Sequence, residues 1–290
     1  MQYHGHRVTR RSMLRHMTAA AGAVAFFPHV SKAQDAAPRF RIGACDWSLG
    51  KQSDVAAFAV AKELGLDGVQ VSLGTEANDM HLRRPDIQQQ FLDAASQQGV
   101  AIASLAIGEL NRIPYKSDPR AEVWVRDSID VCTALGVNVV LLAFFSEGDL
   151  RDDPQGVDTV VERLKLVAPK AEEAGVYLAI ESWLSGPQHL EIIERVGSPN
   201  VKVYYDVGNS HLRGYDIYQE IRDLGTKHIC EFHAKDYEHI FGQGKVDFVE
   251  VRKAMDDIGY SGWIQIEGAQ PLGLMESYTA DEKYLRQVFS

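Results

Sequence analysis

Four short apolar runs in the second half of this chain each stop on a residue that a hydrophobic core does not tolerate. They read Val176-Tyr-Leu-Ala-Ile-Glu181, Val201-Lys-Val-Tyr-Tyr-Asp206, Ile229-Cys-Glu-Phe-His233 and Trp263-Ile-Gln-Ile-Glu267. Buried charge is costly unless it is paired or coordinates a metal. A run that is apolar until its last residue, four times in succession, therefore reads as a strand leaving a core at a shared rim. Three carboxylates and one imidazole at one rim describe a divalent-metal site, because about three negative charges need a cation among them. The mixed oxygen and nitrogen donors suit Mn²⁺, Mg²⁺, Co²⁺ or Zn²⁺, with no thiolate to dictate zinc.

The rest of the chain supplies the scaffold such a rim requires. Helical patterns stop at a glycine and pass into β-rich runs at Gly65, Gly99, Gly136, Gly175, Gly197, Gly225 and Gly259. Glycine past a helix end takes the left-handed conformation without steric cost. With an opening strand, these seven junctions predict eight strands: Phe40–Cys45, Gly68–Leu73, Ala101–Ile107, Val137–Phe144, Val176–Glu181, Val201–Asp206, Ile229–His233 and Trp263–Glu267. Strands alternating with amphipathic helices run parallel through right-handed crossovers. Eight units in about 250 residues predict a single-domain α/β chain, a (β/α)8 TIM barrel. A doubly wound open sheet is the alternative, and the absence of a glycine-rich nucleotide fingerprint counts against it. In such a barrel the C-terminal strand ends form the active face, so Glu181, Asp206, His233 and Glu267 are expected to share one mouth.

Ahead of the barrel lies a segment of different character. Thr9-Arg10-Arg11-Ser12-Met13-Leu14-Arg15, an apolar stretch from Met17 to Phe27, and Ser31-Lys32-Ala33 have the order of a twin-arginine export signal cleaved near Ala33. The apolar stretch falls short of the ~20 residues of a membrane span. The expected division is a signal peptide at 1–33 and a barrel domain at 34–290, with a periplasmic or extracellular product and no stable membrane span after cleavage. Residues 1–33 hold five basic and no acidic residues, so the remainder carries a net charge of −15 against −10 for the whole. That balance excludes a nucleic-acid partner, which demands a basic footprint. The three cysteines, Cys45, Cys132 and Cys230, lie far apart in apolar runs and read as buried, inert thiols.

Tyr205-Asp206-Val207-Gly208-Asn209, His233-Ala234-Lys235-Asp236, Gly242-Gln243-Gly244-Lys245-Val246-Asp247-Phe248 and Ile266-Glu267-Gly268 resemble the sugar phosphate isomerase/epimerase family, whose members have a xylose isomerase-like barrel. The resemblance spans about residues 40–290. It implies that Glu181, Asp206, His233 and Glu267 bind one divalent metal, manganese foremost. It also implies that Glu181 and Glu267 are catalytic, exchanging protons with a small carbohydrate. The chemistry is coherent: a proton leaving beside a carbonyl creates an enediolate whose charge a Lewis acid stabilises. Carboxylates on opposite faces can remove and return that proton. The alternatives are a metal-dependent lyase or hydratase acting on a keto-sugar, and a carbohydrate-binding barrel without turnover. A DNA-repair role fits least, since the extra histidine ligands of a three-metal site are not evident.

Further residues are placed near the substrate. Asn209 stands where several epimerases of this family carry a substrate-binding histidine, and His211 lies close by. Pro187 replaces a substrate-contacting glutamate of those enzymes. Lys235 is placed either on a substrate oxygen or in an ion pair with Asp236. Glu109 follows the third strand and either lines the mouth or caps a helix. Trp47 and Trp183 are candidates for packing on a sugar face, and Gly242 and Gly244 read as turn residues.

Overall fold

Each helix-to-strand junction is built around a residue that can leave the helix sharply. In the computed structural model, which describes residues 1–2 and 38–290, Gly99, Gly136, Gly175 and Gly197 terminate their helices in the left-handed conformation. The resulting strands are β1 (Phe40–Cys45), β2 (Gly68–Ser72), β3 (Ala101–Ile107), β4 (Val139–Phe144), β5 (Tyr177–Ser182), β6 (Val201–Asp206), β7 (Ile229–Ala234) and β8 (Gly262–Ile266). The helices are α1 (Ala57–Glu63), α2 (Pro85–Gln98), α3 (Pro119–Leu135), α4 (Pro154–Ala174), α5 (Gly186–Val196), α6 (Val207–Leu212), α7 (Ile217–His228), α8 (Phe248–Asp257) and α9 (Leu274–Val288). All strand pairs are parallel, and β1 pairs with β8, so the sheet closes into the expected eight-stranded barrel. Pro38–Ser290 forms one compact unit. The export-signal motif at residues 9–33 lies outside the described residues. Among those described, no helix is long and apolar enough to cross a membrane.

Local hydrogen bonding explains where the observed boundaries depart from the expected ones. Val137 and Val176 donate backwards to Cys132 and Ala171 carbonyls, so both belong to the helix caps and not to β4 or β5. Glu267 lies one residue beyond β8, yet its backbone N–H still reaches the Ala234 carbonyl and fixes its height at the mouth. In α7, Gly225 breaks the helical path at φ 59°, as the sequence anticipates, but another turn to His228 follows before β7.

Strand residues alternate between two cores, because successive side chains point to opposite faces. In β4, Val140, Leu142 and Phe144 join the large cluster between sheet and helices. Val139, Leu141 and Ala143 join a smaller one with Ala106, Ala179 and Tyr204 inside the barrel. Gln70, Ser104, Glu231 and Gln265 add a hydrogen-bonded polar group to the interior, which Tyr204 joins through its hydroxyl.

Gly136 carries φ 70° with open space around a would-be Cβ, so strain and not collision governs its replacement. Gly136→Ala is expected to destabilise by about 1 kcal/mol. That corresponds to roughly 2–4 °C in Tm for a chain this size, measurable by calorimetry; an unchanged Tm would contradict the cap assignment.

Candidate metal centre

The closing of the barrel brings the four rim residues together. One donor atom from each of Glu181, Asp206, His233 and Glu267 lies within 4.8 Å of every other, on the ends of β5, β6 and β7 and just past β8. Glu181, Asp206 and His233 are buried, and the Glu267 side chain retains 21% exposure, which leaves the cluster open on one side. His233 Nδ1 stands 2.7 Å from Glu181 Oε1, 3.7 Å from Glu267 Oε2 and 3.9 Å from Asp206 Oδ2.

Two of the candidate ligands, Asp206 and Glu267, are held by neighbours outside the cluster. Asp206 caps α6: Oδ1 accepts from the Asn209 backbone N–H and Oδ2 from the Asn209 amide, both at 2.8 Å. Asn209 Oδ1 in turn accepts from the Tyr237 hydroxyl at 2.6 Å. Glu267 receives the Trp47 indole N–H on Oε1 at 2.8 Å and the Lys235 ammonium on Oε2 at 2.7 Å. Lys235 also lies 3.7 Å from Asp206. The glycine in Asp206-Val-Gly-Asn has a packing reason, since a Cβ on Gly208 would approach the Lys235 carbonyl oxygen to 2.6 Å.

The electrostatics follow from burying like charges together. Burial pushes the Asp206 carboxyl well above its ordinary range, with Glu181 and Glu267 adding to the rise and Lys235 opposing it. At Glu267 burial acts in the same upward direction, yet the charges of Lys235 and His233 outweigh it and hold the carboxyl low. Burial disfavours a charged imidazole at His233, but its partners, Glu181 among them, raise its pKa well above the usual value. Cys45, 3.3 Å from His233 Nε2, is pushed up to about 12 by burial and stays a neutral thiol.

These observations fit a divalent cation. Three carboxylates and a nitrogen converge, Asp206 and Glu267 are held from outside the cluster, and the fixed positive charge beside them is Lys235. Ligand carboxylates and imidazoles in metal sites are oriented by such outer hydrogen bonds.

The other anticipated residues separate into two groups. Asn209, Lys235 and Trp47 touch the ligands directly and hold Asp206 and Glu267. Lys235 does not pair with Asp236, whose carboxylate instead accepts the Lys245 and Val246 backbone N–H groups. Trp47 meets the His233 ring edge-on with centroids 6.1 Å apart. His211, in the second turn of α6, takes no part in the cluster's hydrogen bonds. Glu109 sits in a 3₁₀ turn after β3 and is engaged by Arg112. Trp183 is packed against the Phe145 ring, with the Arg151 and Arg213 guanidinium carbons 4.7 and 5.0 Å from its ring centroid. Gly242 adopts φ 78°, and Gly244 makes room for the Asp236 carboxylate, so both serve the turn.

Sequence reasoning missed Gln70, which meets His233 Nε2 at 2.8 Å, and Tyr237, a non-glycine residue at φ 47°. Nothing in the local pattern of β2 separates Gln70 from an ordinary strand residue. Tyr237 belongs to the loop after β7, which Asp236 and Asp281 anchor. Asp281 is buried, accepts from Phe241 N–H with Oδ1, and leaves Oδ2 without a partner. Burial, with Asp236 adding to it, raises the Asp281 carboxyl to about 7.

Residues 58–287 match the family model described as "Xylose isomerase-like TIM barrel". A 2-epi-5-epi-valiolone 7-phosphate 2-epimerase from an Actinoplanes species is 28% identical over 68% of this chain and 72% of its own length. A putative L-ribulose-5-phosphate 3-epimerase from Escherichia coli is also 28% identical, over 72% of this chain and 81% of its own. Among solved structures, the D-psicose 3-epimerase of Clostridium cellulolyticum superposes with a TM-score of 0.71 at 18% identity. That likeness covers 86% of this chain and 99% of that one, and shows the shared fold.

Two measurements check the site. Saturating Mn²⁺, at about 100 times Kd, should stabilise the protein by about 2.7 kcal/mol, and Asp206→Asn should remove most of that gain. A Tm indifferent to Mn²⁺ would contradict the site. Because Asp281 binds its proton more tightly folded than unfolded, its share of stability is present at low pH and is lost as pH rises from about 4 through 7. Asp281→Asn should therefore gain on the native protein steadily between pH 4 and pH 8 in denaturant titrations. A constant difference would show that Asp281 does not titrate there. The family model spans most of the chain and its barrel is the one described above, so this protein belongs to the xylose isomerase-like TIM barrel family.

Proposed function

We propose that this protein is a metal-dependent isomerase or epimerase of a sugar or related hydroxy-ketone. The observation that carries the reading is the convergence of four donors from successive strands, with Glu181 and Glu267 on the outer two and Asp206 and His233 between them in strand order. The relatives named above as sugar-phosphate and cyclitol-phosphate epimerases support the reaction class.

Glu181, Asp206, His233 and Glu267 would hold the cation, which when bound supplies Lewis acidity to substrate oxygens. The chain's own groups carry the proton. One glutamate takes the proton from the carbon beside the carbonyl, the C–H electron pair moves into an enediolate, and the other glutamic acid returns a proton on the opposite face. Lys235 and Trp47 hold both oxygens of Glu267 and keep it ionised, the state a base starts from, so either glutamate is open to the first role. Lys235, 21% exposed beside Glu267, would be the group to approach a substrate oxygen. Asn209 is engaged by Asp206 and Tyr237, which favours a role in positioning Asp206 over contact with substrate.

We assign the reaction to the exported side of the membrane on the strength of the Arg10-Arg11 leader, and hence to a substrate without phosphate. Manganese is the proposed metal.

In D₂O, the Mn²⁺-loaded protein should incorporate one deuterium next to the carbonyl of its ketose or keto-glycoside substrate with mass otherwise conserved. Glu181→Gln and Glu267→Gln should each reduce turnover about 10²–10⁴-fold while leaving the far-ultraviolet dichroism unchanged. Loss of water from the substrate would replace this reading with a lyase. Exchange that persists in the double variant would assign the chemistry to other residues.

A further inference from the structure

The barrel interior holds one carboxylate that the proposed reaction does not use. Glu231 lies two residues before His233 in β7, is 1% exposed, and gathers three donors on a single oxygen. The Tyr204 hydroxyl approaches Oε1 at 2.9 Å, the Gln265 amide at 2.8 Å and the Ser104 hydroxyl at 2.8 Å. Ser104 in turn faces the Gln70 amide at 3.1 Å, and the other end of that amide meets His233 Nε2 at 2.8 Å. Glu231, Ser104, Gln70 and His233 are all buried, so water does not substitute for any link.

Donor and acceptor roles along this chain follow by elimination. Glu231 Oε1 accepts, so Ser104 spends its only proton on it. The Ser104 oxygen is then free to accept, and Gln70 must turn its NH₂ towards it. Gln70 therefore presents its carbonyl oxygen to His233, and a carbonyl oxygen can only be met by Nε2–H. With Nε2 keeping its proton, Nδ1 is the nitrogen that can give one up: here it shares that proton with Glu181 Oε1 at 2.7 Å, and a neutral imidazole would turn its Nδ1 lone pair to Glu181, Asp206 and Glu267. Oε1 accepts as a carboxylate oxygen, and equally as the carbonyl oxygen of a carboxyl protonated on Oε2.

We infer that Glu231 is a remote positioning residue: through Ser104 and Gln70 it fixes the tautomer of His233 so that Nδ1 is the metal-binding nitrogen. This inference rests on the metal reading above and adds the device that prepares one of its ligands. A direct partner on a ligand histidine is common; here the anchoring carboxylate lies two side chains away and on the same strand as the ligand. The arrangement also uses space that a side chain elsewhere would take. A Cβ on Gly43 would come within 2.2 Å of Gln265 Oε1, so that glycine makes room for a donor to Glu231.

The test compares Ser104→Ala, Glu231→Leu and Gln70→Glu with the native full-length protein. Metal affinity is read by titration with Mn²⁺, and the imidazole tautomer by ¹⁵N chemical shifts of the Zn²⁺-loaded protein. Ser104→Ala and Glu231→Leu should weaken Mn²⁺ binding by about 10–100-fold and shift or broaden the Nε2–H signal of His233. Gln70→Glu keeps an acceptor opposite Nε2 and should bind within a few-fold of native. Ser104→Ala removes one oxygen only, and it carries the comparison if Glu231→Leu fails to fold. Native affinity and an unchanged imidazole signal in Ser104→Ala would overturn the relay while leaving the metal site intact. A native protein that binds neither Mn²⁺ nor Zn²⁺ would overturn the metal reading, and the relay with it.

Discussion

Like charges brought within 4.8 Å are the constraint on which the rest of this structure depends. Two unit charges about 4 Å apart repel by about 4 kcal/mol at an effective dielectric of 20, and this mouth collects three carboxylates. Their neighbours are arranged accordingly. Lys235 bridges Glu267 and lies beside Asp206, His233 leans on Glu181, and Asn209 takes both oxygens of Asp206. A divalent cation completes this balance more fully than one ammonium and one imidazole can. The barrel contributes by fixing the donors on the ends of adjacent strands, where their spacing is set by the sheet and not by flexible loops.

Around that cluster the interior divides by chemistry. The β3–β5 side of the barrel is filled by Ala106, Leu141, Ala143 and Ala179, small and apolar groups that ask nothing of their neighbours. A second group, Gln70, Ser104, Glu231 and Gln265, is polar, each member engaged by another. Polar groups in so dry a place are tolerable only as a connected network. Its connection to His233 gives that network a reason to exist beyond filling volume.

The fold was legible because its signals are local. Glycine after each helix and an apolar run after each glycine are visible without knowing any tertiary contact, and the closed order of strands followed. The four candidate ligands were legible for a related reason: Glu181, Asp206, His233 and Glu267 interrupt apolar runs at their ends, where burial makes a charge conspicuous. The supporting residues were harder to find. Gln70 and Ser104 sit within strands of mixed character, and their importance arises only when β2, β3 and β7 are brought round one axis. Glu231 was within reach, since residues i and i+2 of a strand share a face and His233 was already placed inward. Tyr237 depends on a left-handed backbone turn that no propensity announces. Lys235 illustrates the remaining difficulty, because Asp236 is its neighbour in sequence while Glu267 is its partner in space.

Anomalous diffraction from crystals of the full chain grown with Mn²⁺, collected above and below the manganese edge, should show whether one divalent cation joins the mouths of β5 to β8. A single strong peak is expected at about 2.0–2.6 Å from oxygens of Glu181, Asp206 and Glu267 and from Nδ1 of His233. A peak ligated through Nε2, a peak elsewhere in the barrel, or no peak at saturating Mn²⁺ would contradict it.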